Sequence, residues 1–333
     1  MEKTKAMTAD ALQDEISKKN ARKNQLVKTI LPFAGLVFVI VFFIIGTQGR
    51  NLTPTNLSNL IDQIFTTLLV SLGAIFIYAH GGMDMSLGSI CGVSQLLAAE
   101  VILVFNYQIH PLLILVLTLV TCSVLCSISA IVHVVMKVPV FVVTLCMSFA
   151  CTGILTSVTS KTDVRIDFHF LEAYNSTGIR FGVLAVMIIL AILLFERTKI
   201  GKIQKGIGGN PVAVAQSGIN VGKYKVIAFI ITGICLGLAS FLQFSRLCSV
   251  TSGSGGGIQL NVMIALVLGG MPLSGGATSK MRSAIIGAIT ITVLTNGLTL
   301  MGANVYIIDG IKGILFVIIV ALSYLRPAGG LTR

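Results

Sequence analysis

Two similar polar segments interrupt the apolar stretches of this chain. Residues 81–88 read GGMDMSLG and residues 269–276 read GGMPLSGG, so both fit the pattern G-G-M-x-[ML]-S-x-G. Glycines and hydroxyls that break apolar segments are typical of solute pathways in transporters, because non-helical backbone persists at membrane depth only against protein or water. The pattern therefore predicts a path for a polar solute lined by Gly81, Gly82, Asp84, Ser86 and Ser274.

Each of these residues also has a structural interpretation. Asp84 is the one acid near the middle of the apolar stretch 61–106, where a carboxylate is costly unless it is solvated or hydrogen-bonded. It is interpreted either as a functional charge or as an N-cap that bonds the backbone of Ser86 or Leu87, and the two roles are compatible. Serine is common at close helix contacts, and glycine pairs permit tight turns.

Three amide side chains in apolar surroundings are further candidates. Gln259, Asn261 and Asn296 can hydrogen-bond the hydroxyls of a polar solute, although hydrogen bonds between helices explain them equally well. The four histidines show no metal-ligand spacing, so no metal site is predicted. The sequence offers no paired nucleophile and base, and the chain is expected to be non-catalytic.

The elements that must position these residues are membrane-spanning helices. The chain is 55% hydrophobic and 11% charged, with a mean hydropathy of +0.94, which excludes an ordinary soluble domain. We predict an all-α, polytopic membrane protein of about ten transmembrane helices of roughly 20 residues each. Broken or re-entrant segments are expected near 81–88 and 252–276. The apolar runs lie at about 29–46, 61–80, 87–106, 111–134, 139–158, 180–195, 225–245, 261–271, 282–301 and 306–324.

The basic residues predict the orientation of the chain. Residues 1–28 are polar and net basic, which places this segment in the cytoplasm. Helix alternation through the transmembrane domain, residues 29–325, then puts the 196–225 loop and the 326–333 tail in the cytoplasm too. Both glycine motifs fall on one side of the membrane. The formal charge of +12 reflects loop residues that orient the chain and contact anionic lipid, so no nucleic-acid partner is expected.

The 196–225 loop contains a short predicted helix. Asn210 suits the N-cap, Pro211 suits the first helical position, and Gly218 can take the left-handed conformation that ends a helix. A two-turn helix is marginal alone, so it must pack against something. It is either a connector that rests on the protein's own helix ends or a docking element for a cytosolic partner.

The sequence lacks the G-x-x-x-x-G-K-[ST] loop that cradles nucleotide phosphates, so ATP-driven transport would need an ATPase on another polypeptide.

Six segments in register resemble the membrane permease subunits of ATP-binding-cassette importers for ribose and related monosaccharides. The resemblance covers nearly the whole chain from about residue 52. Its segments are 81–88, VPVFVVTL at 138–145, GGNPVAVAQSGINV at 208–221, 267–276, NGL at 296–298 and IKG at 311–313.

The resemblance implies a permease subunit in the bacterial cytoplasmic (inner) membrane with both termini cytoplasmic. It implies a second permease copy, identical or different, a cytosolic ATPase that uses ATP with Mg²⁺, and an external sugar-binding protein. Phe141 would lie on the sugar path, and Arg246 would meet the binding protein unless it only snorkels to the interface. The loop helix would dock in the ATPase through Gly208, Gly209, Asn210, Ala213, Ala215, Ser217 and Gly218.

Two departures from the family pattern leave the sugar open. The family commonly has acids in an E-L-D-x-I-A-A segment where this chain has Gln259, Leu260 and Asn261, and Cys146 replaces the glycine after T-L.

The seven cysteines are expected to be small buried hydrophobes. The rival function is an ion-coupled secondary transporter of a small polar solute with Asp84 as the ion site, which the scarcity of intramembrane ionisable groups disfavours.

Overall fold

The computed structural model describes residues 30–160 and 162–324, so the predicted cytoplasmic segments 1–28 and 326–333 lie outside the described residues. The described chain is built from helices joined by short connections, and a π-helical segment, Leu193–Arg197, extends α6. The helices are α1 Ile30–Gly46, α2 Pro54–Ala79, α3 Leu87–Val104, α4 Pro111–Met136, α5 Val140–Thr159, α6 Thr177–Ile192, α7 Lys199–Gly209, α8 Pro211–Gln216, α9 Val221–Leu247, α10 Ile258–Leu268, α11 Met281–Leu300 and α12 Val305–Tyr324.

Ten of these helices in the described residues are apolar, which confirms the predicted all-α, polytopic membrane fold. Seven of them are long and apolar enough to cross a membrane: α2, α3, α4, α5, α6 with its extension, α9 and α11. Helices α1 and α10 are apolar but shorter, and α12 has 20 residues. The short helix α10 confirms that the run predicted at 261–271 does not form a full span by itself.

Helix α2 is longer than its apolar run, and one element was not predicted. Helix α2 begins at Pro54, seven residues before the apolar run at 61, because proline at the first turn starts a helix that polar side chains can continue. Helix α7 lies where only a loop was expected. Its four glycines disfavour a helix, but Gly201 packs directly on the carbonyl of Phe195, where a side chain would clash. Tertiary packing therefore overrides local propensity here.

Helix α9 packs closely on α2 and on α4 through small residues. A Cβ at Gly73 of α2 would lie 2.9 Å from the Cα of Thr232 on α9, and a Cβ at Gly237 would lie 2.6 Å from the Cα of Leu119 on α4. Such contacts bring backbones together, as is usual between membrane helices. Six cysteines are buried as expected, but Cys146 is exposed.

The predicted break near 252–276 is present. Gly255 and Gly257 have φ of +75° and +77°, and the loop that contains them rests on α3, where a Cβ at Gly88 or Gly92 would clash with the carbonyls of Gly255 or Ser254. At the same end of the bundle, Val164–Arg165 pairs antiparallel with Ser249–Val250. This end is called the cavity end below, and the end that carries α7 and α8 is called the α7–α8 end.

The two glycine motifs meet at the α7–α8 end. The N–H of Gly276 donates to the carbonyl of Ala79 over 2.8 Å, and Gly275 has a φ of +69°. A Cβ at Gly275 would lie 2.8 Å from the nitrogen of Gly81, and one at Gly208 would lie 2.5 Å from the nitrogen of Gly276 and clash with Ala79. We call Ala79, Gly81, Gly208, Gly275 and Gly276 the glycine junction. It joins the end of α2, the end of α7 and the segment before α11.

The junction predicts opposite effects for two neighbouring substitutions in α7. Gly208→Ala should lower the free energy of unfolding by about 2–4 kcal/mol, because its methyl group meets backbone that cannot move aside. Gly209→Ala is the matched control, since no atom lies within 4 Å of its Cβ position. It should be neutral or stabilise by about 0.5–1 kcal/mol. Unfolding curves in detergent micelles measure both, and equal stability of the two variants would contradict the packing.

Candidate functional site

A polar cavity of about 280 Å³ lies at the cavity end between α2, α6, α9, α10 and α11. Its volume is near the lower end of the range of roughly 300–1,000 Å³ found for ligand pockets, which suits one small polar solute. Charged side chains, amides and hydroxyls converge on it from all five helices. The lining includes Asp62, Gln63, Thr66 and Thr67 of α2, Arg180 of α6, Gln243 and Arg246 of α9, Asn261 of α10, and Thr292 and Thr295 of α11.

Asp62 joins three of these helices through two arginines. Its Oδ1 accepts a hydrogen bond from Nη1 of Arg180 over 2.5 Å, and its Oδ2 lies 3.5 Å from Nε of Arg246. The side chain of Arg180 is 7% exposed, against 21% for Asp62 and 34% for Arg246. Because a buried charge is costly without a partner, Asp62 is what makes Arg180 tolerable between the helices.

Polar atoms at the cavity lack partners. Nε and Nη2 of Arg180 and Oδ1 of Asn261 are buried and have no hydrogen-bond partner among the described residues. Leaving such a group unsatisfied costs about 1–3 kcal/mol, and more for a charged group. Both residues line the cavity, so they are candidates for hydrogen bonds to a bound polar solute.

A buried polar network continues from the cavity into the contact between α9 and α3. Oε1 of Gln243 accepts a hydrogen bond from Nε2 of Gln95 over 3.1 Å, and the hydroxyls of Ser94 and Ser240 lie 2.6 Å apart. Hydrogen bonds of this kind fix the side chains on facing helices. The orientation of Gln243 at the cavity wall is therefore set by α3, although α3 does not line the cavity.

The structure disperses the residues predicted to line the path. Asn261 and Arg246 line the cavity, whereas Gln259 lies against Gly88 of α3. Asn296 exchanges two hydrogen bonds of 3.0 Å with Asn56 of α2, as in the interhelical interpretation. Phe141 is 47% exposed on the surface of α5, Ser274 is exposed beside the glycine junction, and Gly81 forms part of that junction. The docking role predicted for Arg246 stays a prediction.

Asp84 bonds the backbone of Ser86 as expected, but the N-cap position of α3 is occupied by Ser86 and not by Asp84. Its Oδ1 accepts hydrogen bonds from the backbone N–H and the hydroxyl of Ser86, over 2.8 and 2.6 Å. Asp84, Ser86 and Gly82 are all buried. Oδ2 of Asp84 has no hydrogen-bond partner among the described residues. The carboxyl therefore holds the turn before α3, and its charge role stays open.

Sequence reasoning missed Asp62, Arg180 and Gln243. Asp62 and Arg180 fall at the first residues of predicted apolar runs, where charged residues are ordinarily read as interfacial. The available signal was their opposite charge at corresponding helix starts on one membrane side. Their pairing depends on α2 and α6 being neighbours, which spacing along the chain does not reveal.

The short helix α8 has the caps that the sequence predicts. Oδ1 of Asn210 accepts hydrogen bonds from the N–H groups of Val212 and Ala213, both over 3.0 Å, and Gly218 has a φ of +79°. Ala213, Ala215, Ser217 and Gly218 are exposed, as is Gly209, whereas Val214 packs on Gly206 of α7. Helix α8 therefore rests on α7 and leaves its other side free for a partner.

Helix α7 is tied to three other helices. Glu196, in the π-helical extension of α6, contacts Nζ of Lys205 through Oε2 over 2.5 Å and accepts from the N–H of Met281 through Oε1 over 2.8 Å. Gln204 donates to the carbonyl of Tyr224 on α9, and Gly208 contacts the end of α2. A displacement of α7 must therefore move α2, α9 or α11, all of which line the cavity.

The Asp62–Arg180 pair can be tested by stability. Asp62→Asn should lower the free energy of unfolding by about 3 kcal/mol, because it leaves the buried guanidinium without its counter-charge. The double variant Asp62→Asn, Arg180→Met should be less destabilised than the single one, since Met fills the space without a charge. Unfolding curves of the two variants and the parent decide this, and a single variant as stable as the parent would contradict the pairing.

The chain matches a known protein family over most of its length. Residues 56–320 match the family described as "Branched-chain amino acid transport system / permease component". The ribose import permease protein of Bacillus subtilis (strain 168) is 30% identical over 329 residues, which cover 97% of this chain and all of that protein.

Two further relatives show the breadth of the similarity. The ribose import permease protein of Escherichia coli (strain K12) is 25% identical over 298 residues, which cover 86% of this chain and 92% of that protein. The xylose transport system permease protein of the same strain is 27% identical over 361 aligned positions, covering 86% and 90% respectively. No solved structure matches this chain.

Proposed function

The chain belongs to the permease-component family of branched-chain amino acid transport systems, and from that premise we propose that it is the membrane permease subunit of an ATP-driven importer for ribose or a related monosaccharide. The observation that carries the proposal is the cavity of about 280 Å³, whose lining combines charged groups, amides and hydroxyls. Sugar hydroxyls need many donors and acceptors. The names of the relatives, which are ribose and xylose permeases, agree with this chemistry.

The energy source is proposed to be a separate ATPase that docks on α8. The helix offers a surface of small side chains, Ala213 and Ala215, which a complementary groove can approach closely. Its caps define both ends, and its packing on α7 keeps it from moving independently. ATP with Mg²⁺ would bind in that partner and not in this chain. This chain would contribute no catalytic residue.

The coupling route follows from the contacts of α7. Closure of the ATPase would displace α8 and α7 together, and the contacts of Glu196, Gln204 and Gly208 would pass the displacement to α11, α9 and α2. Asp62 stands on α2 and Thr292 on α11, so the cavity walls would shift relative to one another. The cavity would then open toward one side of the membrane at a time.

The proposed ATPase docking also gives expected positions for the remaining partners. The α7–α8 end would face the cytoplasm of a bacterium, with both termini on that side of the inner membrane. An external sugar-binding protein would then approach the cavity end, where Arg246 is 34% exposed. A second permease copy, identical or different, and the lipid bilayer would cover the exposed apolar faces.

Reconstitution in liposomes tests the function. The chain is combined with its ATPase inside the vesicles and the sugar-binding protein outside, and uptake of radiolabelled ribose and xylose is measured. We expect uptake that requires ATP and both partner proteins. Uptake driven by a pH or sodium gradient without the ATPase would contradict the importer and support ion-coupled transport, with the buried carboxyl of Asp84 as the ion site.

The docking surface makes a separate prediction. The double variant Ala213→Asp, Ala215→Asp should lose most co-purification with the ATPase, at least about tenfold, because two carboxylates are forced into a close contact made by methyl groups. Ala277→Asp is the matched control, since Ala277 is also exposed at the α7–α8 end but outside α8. Pull-down from detergent extracts measures this, and unchanged capture by the double variant would mean that docking does not use α8.

A further inference from the structure

The charged side chains that line the cavity have a net charge of +1. Two guanidinium groups, Arg180 and Arg246, face a single carboxylate, Asp62, and the described lining holds no other charged side chain. Asp62 balances the nearly buried Arg180, so the unbalanced guanidinium is that of Arg246, whose side chain is 34% exposed. A guanidinium without a full counter-charge at the wall of a cavity attracts an anion that can hydrogen-bond to it.

The hydrogen-bonding pattern indicates where such an anion would bind. Asp62 occupies only Nη1 of Arg180, while Nε and Nη2 have no partner among the described residues. A guanidinium presents its donors as a fixed planar fork that matches the two oxygens of a carboxylate. The unoccupied donors of Arg180 therefore favour an oxyanion over a lone hydroxyl, because a hydroxyl supplies only one acceptor atom.

The size and total charge of the cavity restrict the anion further. About 280 Å³ has room for one monosaccharide. A phosphate ester carries about −1.5 to −2 at neutral pH and would overcompensate the surplus, whereas a carboxylate carries one charge. The uncharged polar lining can still offer hydrogen bonds to hydroxyl groups, although some of its atoms already bond within the helices; it includes Gln63, Thr66, Thr67, Gln243, Asn261, Thr292 and Thr295.

We propose that the cavity takes a monosaccharide bearing one carboxylate, an aldonic or uronic acid, with the carboxylate on Arg180 and Arg246 and the hydroxyls on the amides and threonines. This inference rests on the proposed sugar-import function and adds the charge of the substrate. It assigns Arg246 to substrate binding from the open side of the cavity, where its side chain is 34% exposed.

Two substitutions remove the surplus charge in different ways. Asn261→Asp adds a carboxylate in almost the same volume, and Arg246→Gln removes one guanidinium while Arg180 keeps its pairing with Asp62. Arg246→Lys is the matched control because it preserves the charge. Since Asn261→Asp changes one atom type on a partly exposed residue, it carries the test even if the arginine variant does not fold.

The probes are D-ribonate and D-ribose, which differ in the oxidation of one carbon. Binding to the full chain in lipid nanodiscs is measured by calorimetry, with melting temperatures as the folding control. We expect the parent to bind ribonate at least about tenfold more tightly than ribose. Asn261→Asp and Arg246→Gln should each lower the preference for ribonate over ribose by about tenfold, while Arg246→Lys keeps a preference close to that of the parent.

The possible outcomes distinguish the carboxylate proposal from the proposed sugar-import function. Binding of ribose at least as tight as that of ribonate overturns the carboxylate assignment and leaves the monosaccharide importer standing. Equal losses for both probes in the two charge variants also overturn it, because the charge would then act on folding or on sugars in general. Absence of binding for both probes overturns the assignment together with the cavity as the sugar site.

Discussion

At the glycine junction, backbone packs directly on backbone. The carbonyl of Ala79 accepts from the N–H of Gly276 over 2.8 Å, and Gly208 lies so close to both that no side chain fits. Three chain segments far apart in the sequence are thereby fixed at one point. Main-chain groups cannot change rotamer to relieve strain, so the three segments are held with little freedom to slide.

The charged cavity lies at the other end of the same helices. Asp62 and Ala79 are both on α2, and at 1.5 Å per residue they are roughly 25 Å apart along its axis. At one end α2 is joined to α7 by backbone contact, and at the other it is joined to α6 and α9 by the two ion pairs of Asp62. A rigid helix between two such attachments is suited to carrying a displacement from a cytosolic partner to a binding cavity.

The sequence predicted the helical membrane fold, the break before α10 and the capped helix α8, because hydropathy, glycine placement and capping act locally. It also indicated Asn261, a polar side chain in an apolar run. It missed α7, whose glycines suggest a loop until their packing is known, and it missed Arg180 with Asp62, whose pairing requires the arrangement of α2 and α6. It placed both glycine motifs on one membrane side, but only the three-dimensional structure brings them into contact. Long-range contact is the information that local patterns lack.

Transmission through the glycine junction is measured most directly by two distances in the assembled transporter, taken by electron spin resonance without nucleotide and with trapped ATP. One pair of labels, at Gln216 and Thr278, reports on the glycine junction, and the other, at Ile179 and Met301, spans the cavity end between α6 and α11; all four sites are exposed. If the junction moves as one body, the first distance stays constant while the second changes. A change in the first distance with the second fixed would contradict transmission through the glycine junction.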